Sequence, residues 1–298
     1  MIGHSDQEEC NSEEEECNDD DEEVNLIDED ETITFTFDQR FQFSYPLYSG
    51  ESAIAEPSLQ QLQIKLRVLI SEHNKHTGTH LWNCSVLLAN YFLHEMTRTD
   101  HSEIFDGFQL PVIQTKPITI LELGCGLGLP SILNCKLNAR NRSIMTDLNT
   151  SDFEERCLTQ CKLNEISENQ FRILPLEWGY DFTSILKTSM EENIDLIVAT
   201  DCLYDKKLYD NFFSTVYLLK ILLKKPTLPL LLAQYKRNES DNITFQLKRW
   251  NLSARILNWQ ETIDLQHYLT IMGADNDYDN LEKQFFELYE ATQIVLIT

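Results

Sequence analysis

The sequence predicts an α/β fold in which a mostly parallel, doubly wound sheet carries helices on both faces. Three observations lead there. From residue 118 onward, short apolar runs alternate with segments of helical period, the pattern of repeated βαβ units. Those runs are predominantly apolar, as strands covered on both faces are. Between the first run and the first helix lies "GCGLG" (124–128), a glycine turn at a strand's carboxyl end, where open α/β sheets receive ligands.

Residues 1–31 hold 16 Asp or Glu and no Lys or Arg. They have too little apolar surface to offset the entropy of ordering, so they read as a disordered acidic tail, either a solvating appendage or a lure or guard for a basic protein. "TITFTFDQRFQFSY" (32–45) alternates apolar and polar residues as a half-buried strand or hairpin does, and "LQIKLRVLI" (62–70) is a second strand. Residues 32–80 thus form a strand or hairpin extension ahead of a domain spanning 81–298. "SVLLANYFLHEM" (85–96) is a helix by its spacing, and 97–117 is a loop without period.

Then the alternation begins. "ITILEL" (118–123) is a buried strand, and "LPSILNCKLNA" (129–139) a helix with Pro130 in its first turn, where a missing N–H costs nothing. "SIMT" (143–146), "FRILPL" (171–176), "IDLIVAT" (194–200), "LPLLLAQY" (228–235) and "ATQIVLIT" (291–298) are strands. The helices between them fall at 151–166, 181–190 and 207–223.

Charge and cysteine usage exclude several function classes. The formal charge is −25, and beyond the tail 33 acidic residues still outnumber 24 basic ones. That balance argues against nucleic acid as a partner, since phosphate-backbone binding needs clustered Lys and Arg. No signal peptide is visible, and the most apolar run is broken by Lys220, Lys224, Lys225 and two prolines, so no membrane span is expected. The eight cysteines form no CxxC pair and read as reduced thiols of a cytoplasmic or nuclear protein. His73, His76 and His80 fall three and four residues apart, but Gly78 breaks any helix there and no thiolate is near, so no metal is expected.

Gly124, Gly126 and the helix start after Gly128 let backbone N–H groups approach a ligand, and Asp147, ending the second strand nineteen residues after Gly128, suits ribose hydroxyls. A dinucleotide fingerprint places its third glycine three residues after the second, where this chain has Leu129. Glu122 would repel a pyrophosphate but suit a ligand with a free ammonium group. S-adenosyl-L-methionine has that ammonium, a ribose and no phosphate, and is the expected cofactor.

With these residues in view, the chain resembles the Rossmann-like seven-β-strand methyltransferases, and most closely their group of protein methyltransferases with a D-x-x-Y motif, in its histone-arginine branch. "HLWNCSVLLANYF" (80–92), "ILELGCGLGLP" (120–130), "MTDL" (145–148), "LPLEWG" (174–179) and "ATDCLYDKKLYDNF" (199–212) carry the likeness. The family often has Pro after the first Trp, where this chain has Asn83. The resemblance implies seven strands and a set of roles. Trp82 covers the cofactor's methionyl or adenosine part, Gly124, Cys125 and Gly126 line it, and Asp147 binds the ribose. Trp178 flanks the adenine, and Thr200 gives a backbone contact. Asp201 and Tyr204 face the substrate.

Methyl transfer needs alignment, desolvation and a route for the nucleophile's proton. A carboxylate at Asp201 can hold a Lys or Arg cation by charge-assisted hydrogen bonds and aid proton departure, and Tyr204 can offer an aromatic wall. "DCLY" lacks the two prolines of the D/N-P-P-Y tetrapeptide found in methyltransferases of DNA bases and glutamine, which disfavours those planar acceptors. The expected function is methylation of an Arg or Lys side chain in a basic protein such as a histone. Two other readings are a small-molecule methyltransferase on the same fold and a non-catalytic module that keeps the cofactor to hold a partner. Asp201 has a bland reading too, as a cap for the helix that follows.

Overall fold

The structure is a computed structural model and describes residues 30–38, 61–69, 77–97, 116–180, 182–237, 242–261, 263 and 278–298. The acidic tail up to residue 29, and His73 and His76, lie outside the described residues.

Two sheets are present. Strands β1 (Asp30–Asp38) and β2 (Gln61–Leu69) pair antiparallel, with Phe35 opposite Ile64. The period-2 pattern decides which face is covered: Ile64, Leu66 and Val68 are buried, while Gln63, Lys65 and Arg67 between them are exposed. Their apolar face joins one continuous cluster with helices α1 (Asn83–Thr97) and α2 (Leu129–Leu137). Helix α1 is buried nearly all round, from Val86 to Leu93.

The main sheet has seven strands: β3 (Thr119–Leu123), β4 (Arg142–Asp147), β5 (Phe171–Pro175), β6 (Leu196–Thr200), β7 (Leu230–Tyr235), β8 (Ala254–Leu257) and β9 (Thr292–Ile297). Their order is β5-β4-β3-β6-β7-β9-β8. The first five are parallel, and β9 runs antiparallel to both its neighbours. The chain winds outward from β3 to β5, returns, and winds the other way from β6, so the switch point lies between β3 and β6. Helices α3 (Phe153–Leu163), α4 (Thr183–Glu191), α5 (Tyr209–Leu222), α6 (Thr244–Arg249) and α7 (Tyr278–Ala291) complete the elements used below. Among the described residues no helix is long and apolar enough to cross a membrane.

The doubly wound sheet and the antiparallel extension agree with the expectation from the sequence. Strand β8 and helices α6 and α7 were not expected. Strand β8 has four residues, of which only Leu257 is buried, so it carries no period to read; its pairing with β9 creates it.

Candidate active site

The site begins where β3 ends. Leu123 runs straight into Gly124, whose φ of +62° is left-handed. A Cβ there would stand 2.9 Å from Cys202 Sγ and 3.1 Å from Trp178 Cζ2, so glycine is required by both conformation and space. The turn is tied to the next strand, since Cys125 N–H donates to Thr146 O at 2.9 Å. Gly128 is left-handed as well, and a side chain on it would strike the end of Met145. Helix α2 starts directly after it, with Pro130 in its first turn as expected.

Asp147, at the end of β4, faces this turn. Its carboxylate accepts from Gly126 N–H at 2.9 Å and Leu148 N–H at 2.8 Å. Burial pushes its carboxyl above the ordinary range, opposed by those two bonds and by Arg156. Arg156 on α3 also donates from Nε to Gly126 O at 3.3 Å. Its guanidinium lies where a side chain on Gly78 would be, 2.9 Å from that position.

The turn, Asp147 and the ends of β5 and β6 enclose a cavity of about 500 Å³, the size of an ordinary ligand cleft. Gly124, Cys125 and Gly126 form its floor and Asp147 one side. Trp178 gives an aromatic wall, standing edge-on to buried Phe212 of α5 with ring centroids 5.1 Å apart. Trp82 lies across from it, more than a third exposed. Ser85 N–H donates to Trp82 O at 2.8 Å, so α1 starts on Trp82 without the family's proline. Thr200, Asp201 and Tyr204 close the remaining side. Nine of the ten residues singled out in the sequence therefore meet in one cavity.

Glu122 is the exception: it is fully buried and does not line the cavity. Its Oε2 accepts from the backbone N–H and hydroxyl of Ser131, in the first turn of α2, and Oε1 has no hydrogen-bond partner. Burial pushes its carboxyl up to about 8. A carboxyl so placed ties β3 to the first turn of α2.

Asp201 follows β6 with φ +48°, and its N–H donates to Ala233 O at 2.8 Å. It does not cap the following helix. Asp205 caps only the short 3-10 turn Lys206–Leu208, its carboxylate accepting from Lys207 N–H at 2.9 Å, and α5 itself starts after Leu208 with no side-chain cap. Asp201 instead takes a forked pair from Arg237: Nη1 to Oδ1 at 3.0 Å and Nη2 to Oδ2 at 2.7 Å. Arg237 lines the cavity too and was missed in the sequence. The available signal was its place two residues past the strand that neighbours β6. The thiols of Cys125 and Cys202 are buried and held far above the ordinary range, by Cys157 and burial in the first case and by burial in the second, so neither is a nucleophile. Among the described residues no group of three or more His, Cys, Asp or Glu could hold a metal.

These residues fit the expected cofactor. The space a Cβ would fill at Gly124 lies against an indole wall, Asp147 lines the same cavity, and among the described residues the basic side chains lining it are His80 and Arg237.

Residues 60–249 match the family described as lysine methyltransferase. Methyltransferase-like protein 23 of Dictyostelium discoideum is 30% identical over 206 residues, covering 65% of this chain and 74% of that one. Histone-arginine methyltransferase METTL23 of Mus musculus is 25% identical over 220 residues, 72% of each chain. Protein-lysine N-methyltransferase EFM6 of Saccharomyces cerevisiae is 25% identical over 198 residues, covering 64% and 76%. The chain belongs to the lysine methyltransferase family: it is a protein methyltransferase, and its cofactor is S-adenosyl-L-methionine.

Proposed function

We propose that the protein methylates a side-chain nitrogen of Arg or Lys in a basic protein substrate, a histone or another protein of the nucleus or cytoplasm. One observation carries the reading: the glycine turn with Asp147 and the Asp201–Tyr204 pair line the same cavity. Cofactor and acceptor residues thus share one space, as a direct transfer requires.

The cofactor, when bound, supplies a methyl carbon activated by its sulfonium. This chain's residues do the rest. The glycine turn lets the ligand approach the backbone closely, and Asp147 has lone pairs left for ribose hydroxyls beyond the two N–H bonds it accepts. Trp178 flanks the adenine, Trp82 covers the methionyl or adenosine part, and Thr200 lends a backbone contact. Asp201 holds the acceptor's cation and takes up the proton its nitrogen must give up, before attack for a Lys ammonium, whose lone pair that frees, and with the transfer for an Arg guanidinium. Tyr204, 46% exposed at the mouth, walls the acceptor by its ring.

The test uses labelled cofactor with nuclear and cytosolic extract, followed by mass spectrometry of the labelled band. Label is expected on an Arg or Lys side chain. Asp201→Asn should keep its heat of cofactor binding and lose transfer by about a hundredfold or more. Cofactor binding with no label on any protein would overturn the reading.

A further inference from the structure

The acid proposed to hold the substrate already holds a cation. Asp201's side chain is 6% exposed, and both its oxygens accept from the one guanidinium of Arg237 in the planar, two-bond arrangement that Arg and carboxylate favour. Arg237 is different: its side chain is 35% exposed. It sits two residues beyond the end of β7, Nη1 also reaches Tyr235 O at 3.4 Å, and its guanidinium lies 5.8 Å from the Tyr235 ring centre. Asp201 is anchored by its backbone between β6 and β7; Arg237 reaches it from the open side.

Resting on the reading that Asp201 holds the acceptor, we infer that Arg237 is an internal stand-in for the substrate cation, and that a protein substrate binds by exchanging with it on Asp201. The two cations cannot share the fork. Arg237 takes one lone pair of each oxygen, and a second positive group brought to the remaining pairs of the same buried carboxylate meets the charge of Arg237 at close range. When Arg237 turns away it reaches solvent, being one-third exposed already, so the exchange replaces one charge-assisted pair by another of like kind. The affinity for every cationic acceptor is then multiplied by one common factor below one, the fraction of molecules with Asp201 free. Arg237 therefore lowers substrate affinity without choosing between Arg and Lys, and it takes no part in the transfer step.

This gives an expectation of unusual sign. Removing the partner of an active-site carboxylate ordinarily impairs an enzyme; here Arg237→Ala should improve substrate binding. With the protein that the wild type labels in extract, KM should fall about tenfold or more while kcat stays within about twofold. Calorimetry with that same protein and S-adenosylhomocysteine, which reads binding without turnover, should show the same gain. Arg237→Lys, which keeps the charge but only one good bond, should fall between. The ratio of methylated Arg to methylated Lys in a hydrolysate of labelled extract should not move. A lower kcat with unchanged KM would make Arg237 a positioning residue, a changed ratio would mean it stays in place beside the substrate, and label on Arg237 itself would make it an acceptor; each outcome overturns the inference. Absence of all label in the wild type removes the function proposed above, and this inference with it.

Discussion

Glu122 is a fully buried acid at the base of the glycine turn, behind the residues that line the cavity. A fully buried carboxyl with one unpartnered oxygen favours the protonated form, because burial penalises charge more than the two Ser131 bonds relieve it. Its folded value of about 8 stands above its ordinary 4.5. The folded chain thus keeps a proton that the unfolded chain releases, and the stability this group contributes is present below about 4.5 and lost as pH rises through about 8. Glu122→Gln cannot ionise. In it the loss should be absent, at the cost of an amide N–H₂ placed where Oε1 has no partner. Melting temperatures compared from about pH 5 to about pH 9 should show the wild type ahead at the acid end and the variant ahead at the alkaline end, a swing on the order of a few kcal/mol. Parallel profiles would mean the carboxyl is ionised throughout. Of the acids singled out from the sequence, Asp147 and Asp201 were legible because motif spacing puts them at strand ends, where they line the cavity. Glu122 lies two residues earlier in β3, where the neighbouring helix covers it, and spacing alone cannot tell those depths apart.

At the scale of elements, the antiparallel pair is joined to the catalytic sheet by an unusual hydrogen-bond match. Gln160 of α3 accepts from Arg67 N–H at 2.9 Å and donates to Arg67 O at 2.7 Å; Asn164 does the same with Lys65 at 2.8 and 2.6 Å. Residues four apart on a helix rise about 6 Å, and residues two apart on a strand about 6.6 Å. Two primary amides on one helix face can therefore act as the missing neighbour strand along β2. The same helix carries Arg156, whose Nε reaches Gly126 O in the glycine turn, so one element joins the extension to the cofactor floor. Gln160→Ala or Asn164→Ala should cost about 1–3 kcal/mol each by orphaning backbone groups, and hydrogen exchange at the amide of Arg67 or Lys65 respectively should quicken. Exchange left unchanged at those two positions would show that packing alone seats the pair. Period made the parallel strands and their helices readable. The clamp was not, because Gln and Asn four residues apart on a helix look like any polar face until a strand edge lies beside them. Strand β8 escaped for a related reason: with one buried residue, its state is set by β9 rather than by its own pattern.

For the whole molecule, the charge distribution sets how a basic substrate arrives. The first 31 residues hold 16 of the 49 acidic side chains and none of the basic ones, while the other 267 carry 33 acidic against 24 basic. Both parts attract a basic protein, the tail far more per residue. Such attraction acts over roughly a Debye length, about 10 Å at 0.1 M salt, and gains encounter rate more than contact energy. Because β1 begins at Asp30 and pairs there with Leu69, a clean truncation must stop at residue 29; removing Asp30 and Glu31 as well would cut into a paired strand and confound charge with stability. Deleting residues 1–29 should leave the melting temperature and the heat of cofactor binding in place, raise KM for a basic substrate about threefold to tenfold at low salt, and flatten its rise with added salt. If Arg237 governs the final exchange on Asp201, the two effects act at successive stages, a long-range encounter and a short-range substitution, and should multiply in the combined variant, since the tail's attraction does not depend on which cation sits in the fork. A KM at low salt that ignores the truncation would leave the tail a solvating appendage and assign the whole electrostatic draw to the mildly acidic body.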